Sequence, residues 1–340
     1  MERLTAGHAL VVNFEGALIH AAPEACQVED VYKYNLYSHS SSMDTLKALN
    51  TVACGLANNH ICDYKSGLDH TLAALNVAGI QAFGTRRQPW CQITVDGRPY
   101  LLWAACSPLP EPTAMPGTAD AAQLFEPEAS LQQLSALRRE FPAATLVAFM
   151  HWGYELARHP QPADREWARR AIDVGVSLVI GHHPHLVQGL ERHGDGVIAY
   201  SLGNFALPQV NYRGRELRYK SESVCEQLVL RHSAAGLRSV WVRYDKARAR
   251  LLVEREHDAL TDPELAARTP FAGLSDQDYR AWFAEETRAE RRSGRKSGPT
   301  MWSYRGVAGI EGRIKCGLMG WRKRVRRLAI RAGLHKPYNW

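Results

Sequence analysis

The sequence predicts an α/β fold, and three observations carry that reading. Short apolar, β-branched runs recur up to about residue 210, and several are followed by stretches of helical periodicity. Strand after strand ends on a potential metal ligand such as Glu, Asn or His. With 340 residues, 45% of them hydrophobic and 23% charged, the chain can bury the core of one large α/β body.

The elements follow in order. Residues 9–14 are a continuous apolar run, a buried strand with Glu15 at its exit. A polar loop with Tyr32, Tyr34 and Tyr37 spans 21–42, and 43–50 predict a short helix capped by Ser41 or Ser42. Residues 52–57 predict the next strand, which opens into Asn58-Asn59-His60-Ile61-Cys62-Asp63. A helix over 66–78 stops at Gly79, and a short strand covers 80–83. Asp96-Gly97 joins strands 91–95 and 100–106 in a hairpin. After a Pro-rich loop over 107–120 comes an amphipathic helix, 126–140. Residues 145–150 predict a buried strand ending at His151, and 164–174 a helix. A β-branched strand, 176–180, lies between Gly175 and Gly181 and opens into His182-His183-Pro184-His185. A strand over 197–200 leads to Gly203-Asn204, 226–232 and 237–244 read as a hairpin, and 250–254 as a further strand.

Ligand sites in α/β proteins lie beyond the carboxyl ends of strands, so Glu15, Asn59, His60, His151, His183, His185 and Asn204 could converge. Taken singly, each has an ordinary structural alternative: a solvated loop acid, an Asn-rich turn or a core histidine. Taken together, a carboxylate, an amide oxygen and imidazoles suit Mn²⁺, Fe²⁺ or Zn²⁺ better than the all-oxygen shells of Mg²⁺ or Ca²⁺. Two such ions can clamp a phosphoryl group and supply hydroxide at neutral pH, with His60 placed to protonate the leaving oxygen.

Five segments, in this order, carry a family resemblance: Asn13-Phe14-Glu15-Gly16, Ala57-Asn58-Asn59-His60-Ile61-Cys62-Asp63-Tyr64, His151-Trp152-Gly153-Tyr154-Glu155, Gly181-His182-His183-Pro184-His185 and Tyr200-Ser201-Leu202-Gly203-Asn204-Phe205. Together they resemble the capsule-synthesis CapA family of poly-γ-glutamate capsule proteins, a branch of the calcineurin-like metallophosphatases. The resemblance spans about residues 9–210. It implies a four-layer α/β/β/α sandwich with a dinuclear Mn, Fe or Zn site at one edge. The implied function is a metal-dependent, phosphoesterase-like hydrolase of capsule, exopolysaccharide or poly-γ-glutamate synthesis, with a phosphorylated or polymeric cell-envelope substrate. A non-catalytic scaffold with an incomplete site is the alternative. On the resemblance, Glu15 stands where the superfamily has its bridging carboxylate, Asn59 is the amide ligand and His60 the catalytic histidine. His151, His183 and His185 are the remaining imidazole ligands, while Asp63, Glu155, His182 and Asn204 fall at supporting or substrate-contacting positions. The family usually opens with a strand ending in Gly-Asp, whose Asp is a ligand. No Asp precedes Glu15 here: either the given Met is an internal one and the strand lies before it, or the strand is lacking, and then the site is expected to hold one metal, weakly or not at all.

The net charge of +7 is unevenly spread. Residues 288–340 hold 15 of the 42 basic residues against Glu290 and Glu311, a net of +13, which leaves the rest of the chain at −6. We expect a metallophosphatase-like domain over 1–270 and a basic helical extension over 271–340, joined to its tail by a linker at 293–300. Within the extension, 320–331 could form a helix with Trp321, Val325, Leu328 and Ile330 as its apolar stripe. That helix could stay solvated or pack on the acidic body, which fits best, lie on an anionic membrane surface, or bind nucleic acid, which fits least well. Seven scattered cysteines without a CxxC pair argue against a disulfide framework. Residues 1–8 lack the pattern of a secretion signal, so the sequence as written reads as cytoplasmic, with peripheral membrane contact through the tail.

Overall fold

A computed structural model describes residues 5, 7–21, 26, 35–107, 120–205, 210–212, 215–217, 225–245, 247–248, 250–293 and 300–306, with scattered positions from 310 to 329. Tyr32, Tyr34, most of the Pro-rich loop, most of the linker and most of the tail lie outside them.

The chain opens with β1 (Leu10–Asn13), β2 (Ala17–Leu18), β3 (Tyr37–Ser38), α1 (Ser42–Ala48), β4 (Thr51–Gly55), α2 (Gly67–Val77) and β5 (Gln81–Phe83). Strands β1, β4 and β5 form a parallel three-stranded sheet in which β4 is central. Next come β6 (Trp90–Val95), β7 (Arg98–Cys106), α3 (Pro127–Glu140), β8 (Thr145–His151), α4 (Pro162–Asp173), β9 (Leu178–His182), β10 (Val187–His193) and β11 (Gly196–Leu202). These strands build a six-stranded sheet in the order β10-β11-β9-β8-β7-β6. Its four inner strands are mutually parallel and its two edges antiparallel. The short pair β12 (Val210–Tyr212) and β13 (Arg215–Leu217) precedes a meander of β14 (Glu226–Ser233), β15 (Gly236–Asp245) and β16 (Arg250–Asp258). Helices α5 (Pro263–Arg268) and α6 (Asp276–Arg292) follow.

Side-chain alternation along a strand explains the layering. In β7, Leu101, Trp103 and Ala105 face a cluster with Leu131, Leu134 and Leu137 of α3 and Trp167 and Ala171 of α4. The intervening Leu102, Ala104 and Cys106 face the other way, against Ala53 of β4, Phe83 of β5 and Trp241 of β15. Phe83 and Phe149 meet edge to face across this second cluster, with centroids 5.3 Å apart. A third cluster seals the small sheet under Leu46 of α1 and Leu68 and Leu75 of α2. The order is helix, sheet, sheet, helix, which is the expected four-layer sandwich.

Strand β10 and the seating of α6 are features that the sequence expectation does not contain. Strand β10 is interrupted by Gly189 at φ 98°, and its register with β11 shifts on both sides of that residue, so its apolar alternation is broken. Helix α6 is mostly polar, yet Tyr279 and Phe283 bury into the helix-side cluster beside Phe271. The chain past residue 270 therefore begins inside the main core. A buried ion network ties α6 down: Arg165 of α4 grips Glu191 of β10 through two donors, at 2.9 and 2.6 Å, and reaches Asp276 at 3.1 Å. Tyr200 of β11 donates to the same Glu191 at 2.7 Å, leaving the buried charges fully partnered.

Candidate metal centre

The parallel strands β1, β4, β8, β9 and β11 deliver their carboxyl ends to one edge of the molecule. Glu15 follows β1, with Gly16 at φ 99° allowing the chain to turn away at once. Asn59 and His60 follow β4, His151 ends β8, His183 and His185 follow β9, and Asn204 follows β11.

Ligand-capable atoms of Glu15, His151 and His183 lie within 4.8 Å of one another. His151 Nε2 is 3.9 Å from Glu15 Oε1 and 2.8 Å from Asn59 Oδ1, which brings the amide oxygen into the same group. The rings of His151 and His183 have centroids 4.8 Å apart, and those of His183 and His185 6.0 Å, so His185 adjoins the Glu15–His151–His183 group from outside it. His183 and His185 both take positive φ, 97° and 59°, a conformation costing a non-glycine residue on the order of 1–3 kcal/mol. Pro184 sits between two strained histidines, and that loop is held by contacts around it. His185 Nδ1 donates to Asn204 Oδ1 at 2.6 Å, while Asn204 Nδ2 returns a bond to the His185 carbonyl at 3.4 Å. An amide oxygen only accepts, so the proton sits on Nδ1 and His185 Nε2 keeps its lone pair.

His60 is oriented in the same manner. Its Nδ1 donates to Asp63 Oδ2 at 2.6 Å, and that oxygen also accepts from the Leu36 amide at 2.8 Å. Asp63 is completely buried, and the pair fixes the tautomer that leaves His60 Nε2 for chemistry. Asn58, to which the sequence reading gave no role, binds two of the site's loops together. Its Nδ2 donates to the Phe14 carbonyl beside Glu15 at 2.8 Å, and its Oδ1 accepts from the His60 amide at 3.1 Å. A doubled Asn at a strand exit was the available signal; its partner 44 residues away was not.

Two sequence-selected residues stand apart. Glu155 is exposed in the turn after His151. His182 belongs to β9, where its ring stacks on Phe149 at 5.7 Å, outside the Glu15–His151–His183 group. Loss of solvent around it pushes His182 down to about 4. Burial first, then the neighbouring His183, His182, His60 and His185, hold His151 well below the ordinary imidazole range. Both effects favour neutral imidazole, the form that ligates metal.

The donor set fits a divalent cation. Glu15 Oε1 is buried and, among the described residues, accepts no hydrogen bond. A buried carboxylate oxygen without a donor is costly unless a cation partners it. Metal–ligand bonds of about 2.0–2.2 Å allow donor separations up to about 4.4 Å, so a set already within 4.8 Å needs only a small contraction.

The family model for the bacterial capsule synthesis protein PGA_cap matches residues 1–209. The chain belongs to that family. It is similar to the capsule biosynthesis protein CapA of Bacillus anthracis, 27% identical over 188 residues, covering 50% of this chain and 44% of the relative. It is also similar to a probable polyglutamine synthesis accessory protein of Mycobacterium tuberculosis, 31% identical over 215 residues, covering 58% and 56%. The chain spans about half the length of the curated relatives it matches. Among solved structures it is similar to a novel phosphatase from Mycoplasma pneumoniae, 12% identical, with a TM-score of 0.40 over 75% of this chain and 83% of that one. The expected capsule-synthesis family is thus borne out, and every residue of the candidate centre falls within the PGA_cap match. Among the described residues, no helix is long and apolar enough to cross a membrane.

Proposed function

We propose that this PGA_cap protein is a metal-dependent, phosphoesterase-like hydrolase acting on a phosphorylated or polymeric cell-envelope substrate during capsule or polyglutamate synthesis. The observation that carries the reading is the buried Glu15 oxygen that, among the described residues, accepts no hydrogen bond and stands 3.9 Å from His151 in a group with His183. In this reading Glu15, Asn59, His151, His183 and His185 hold divalent Mn, Fe or Zn. A bound ion of this kind supplies Lewis acidity and a hydroxide nucleophile near neutral pH. His60, held by Asp63 through Nδ1, would in its doubly protonated form give the Nε2 proton to the leaving oxygen, returning to the neutral Nδ1–H tautomer. Asn204 keeps His185 in its ligating tautomer. Asn58 keeps Glu15 and His60 in register.

The test is metal analysis of the purified chain together with hydrolysis of a generic phosphodiester after loading with Mn, Fe or Zn. We expect His60→Ala to keep the metal and to lose turnover by roughly 10²–10⁴-fold. A parent that takes up no metal and is inert towards every phosphoester overturns the reading. The word accessory in the name of the mycobacterial relative favours a second reading, a scaffold that keeps the fold without turnover. Bound metal with parent and His60→Ala equally inactive supports that one.

A further inference from the structure

The carboxyl-terminal segment presents an apolar face that the candidate centre does not use. Positions 306, 310, 314, 318, 321, 325, 328 and 329 are helical. Six of them carry large apolar side chains, and all six are open to solvent: Ile310, Ile314, Leu318, Trp321, Val325 and Leu328 are 43–61% exposed. At about 100° per residue, these six fall within an arc of about 80° on a helix. Such a stripe is not packed on the acidic body, and it needs an occupant.

The charge of the segment selects that occupant. Between Ile310 and Leu328 the sequence holds Arg313, Lys315, the run Arg322-Lys323-Arg324 and Arg326-Arg327, against the single acid Glu311. A second copy of the helix is disfavoured. From Ile314 onward the stripe has the spacing of a coiled-coil seam, and the positions flanking that seam include Lys315, Arg322, Arg324 and Arg331 and no acid, so paired helices repel. An anionic bilayer meets both demands at once: apolar side chains enter the acyl boundary and the cations meet lipid phosphates. Gly309, Gly312, Gly317 and Gly320 weaken the helix on its own, so a surface that stabilises it has a large effect.

We propose that the 306–329 segment docks, apolar stripe inward, on the anionic surface of a lipid bilayer and tethers the body beside the membrane. The proposal stands independently of hydrolysis at the metal centre.

The experiment is co-sedimentation of the full chain with vesicles of mixed phosphatidylcholine and phosphatidylglycerol and, separately, of phosphatidylcholine alone. We expect binding to the anionic vesicles that weakens with salt, and weak binding to the neutral ones. The combined variant Ile314→Ser, Leu318→Ser, Leu328→Ser changes only exposed side chains and should weaken binding by about tenfold or more. Trp321 fluorescence should shift to the blue with anionic vesicles, read as the difference between the parent and Trp321→Phe. No binding by the parent, or vesicle binding of the triple variant within twofold of the parent, overturns the proposal. The second result is the signature of purely electrostatic contact, as nucleic acid would give. An unchanged thermal midpoint of the triple variant shows that its body is folded, so that lost binding reports on the stripe.

Discussion

On one side of the centre, His151 and His183 leave strands inside a six-stranded sheet that is buried on both faces, whereas on the other Glu15 leaves β1, an edge strand whose four residues are all half-buried. The imidazole wall is fixed by backbone packing. Trp152, next to His151, donates from Nε1 to the Tyr200 carbonyl at 3.0 Å across the face of Gly181. The oxygen wall is fixed by polar side chains, since Asn58 and Asp63 hold its loops through hydrogen bonds to main chain and to His60. The contrast teaches that a lesion behind the imidazoles should damage fold and metal together. A lesion in the oxygen wall should damage chemistry while most of the fold survives.

The largest expected effect comes from Gly181→Ala. A β-carbon there would lie 1.8 Å from the Tyr200 carbonyl oxygen and 2.6 Å from Trp152 Nε1, both in the packed interior. Neither can retreat, so we expect a destabilisation of about 4 kcal/mol or more, or no soluble protein, read by chemical denaturation. Asn204→Ala leaves the backbone packing of that wall alone and removes only the side-chain acceptor that sets the His185 tautomer. Loss of such a partner should weaken metal binding roughly 10–100-fold with the fold kept, measurable by competition with a chelator. If affinity is unchanged, His185 does not depend on Asn204 for its ligating form.

A third effect, read only in the pH dependence, concerns the back of the imidazole wall. Burial pushes Asp164 of α4 up to about 7, against the hydrogen bonds from Tyr304 and the Gln161 backbone that lower it. Tyr279, also buried, lies close enough to interact with it. The folded state therefore holds this proton up to about pH 7, while the unfolded chain releases it near the ordinary carboxyl value of about 4. The stabilisation is complete at acid pH and is lost as pH rises between those values. The thermal midpoint of the parent, taken relative to Asp164→Asn, should fall between about pH 4 and about pH 7 and level off above that. A difference independent of pH contradicts a neutral, buried Asp164.

Much of this was legible in the chain because the informative residues are local. The strand exits at Glu15, Asn59-His60, His151 and His183–His185 announce themselves within a few residues of an apolar run. The helices over 67–77, 127–140 and 162–173 follow from helical periodicity. What stayed hidden depends on distant partners. Asn58 matters because Phe14 lies opposite it, and Gly181 because Tyr200 and Trp152 close over it. Strand β10 escaped because Gly189 breaks its alternation. Helix within 271–340 was expected, but the seating of α6 in the core was not, because a mostly polar helix is secured by only a few buried aromatics and the Arg165–Glu191–Asp276 network. His182 reads like its neighbours in the motif, and only strand register separates it from them by seating it on Phe149.

Metal content of the purified chain, measured beside Glu15→Gln and His183→Ala after equal loading and dialysis, tests the centre most directly. Glu15→Gln keeps the shape and removes the charge of the oxygen that faces His151 without a hydrogen bond. The account predicts that the parent retains Mn, Fe or Zn, that both variants lose it, and that all three unfold cooperatively. A parent that binds no divalent ion at saturation, or a Glu15→Gln variant that keeps the parent's full content, contradicts it.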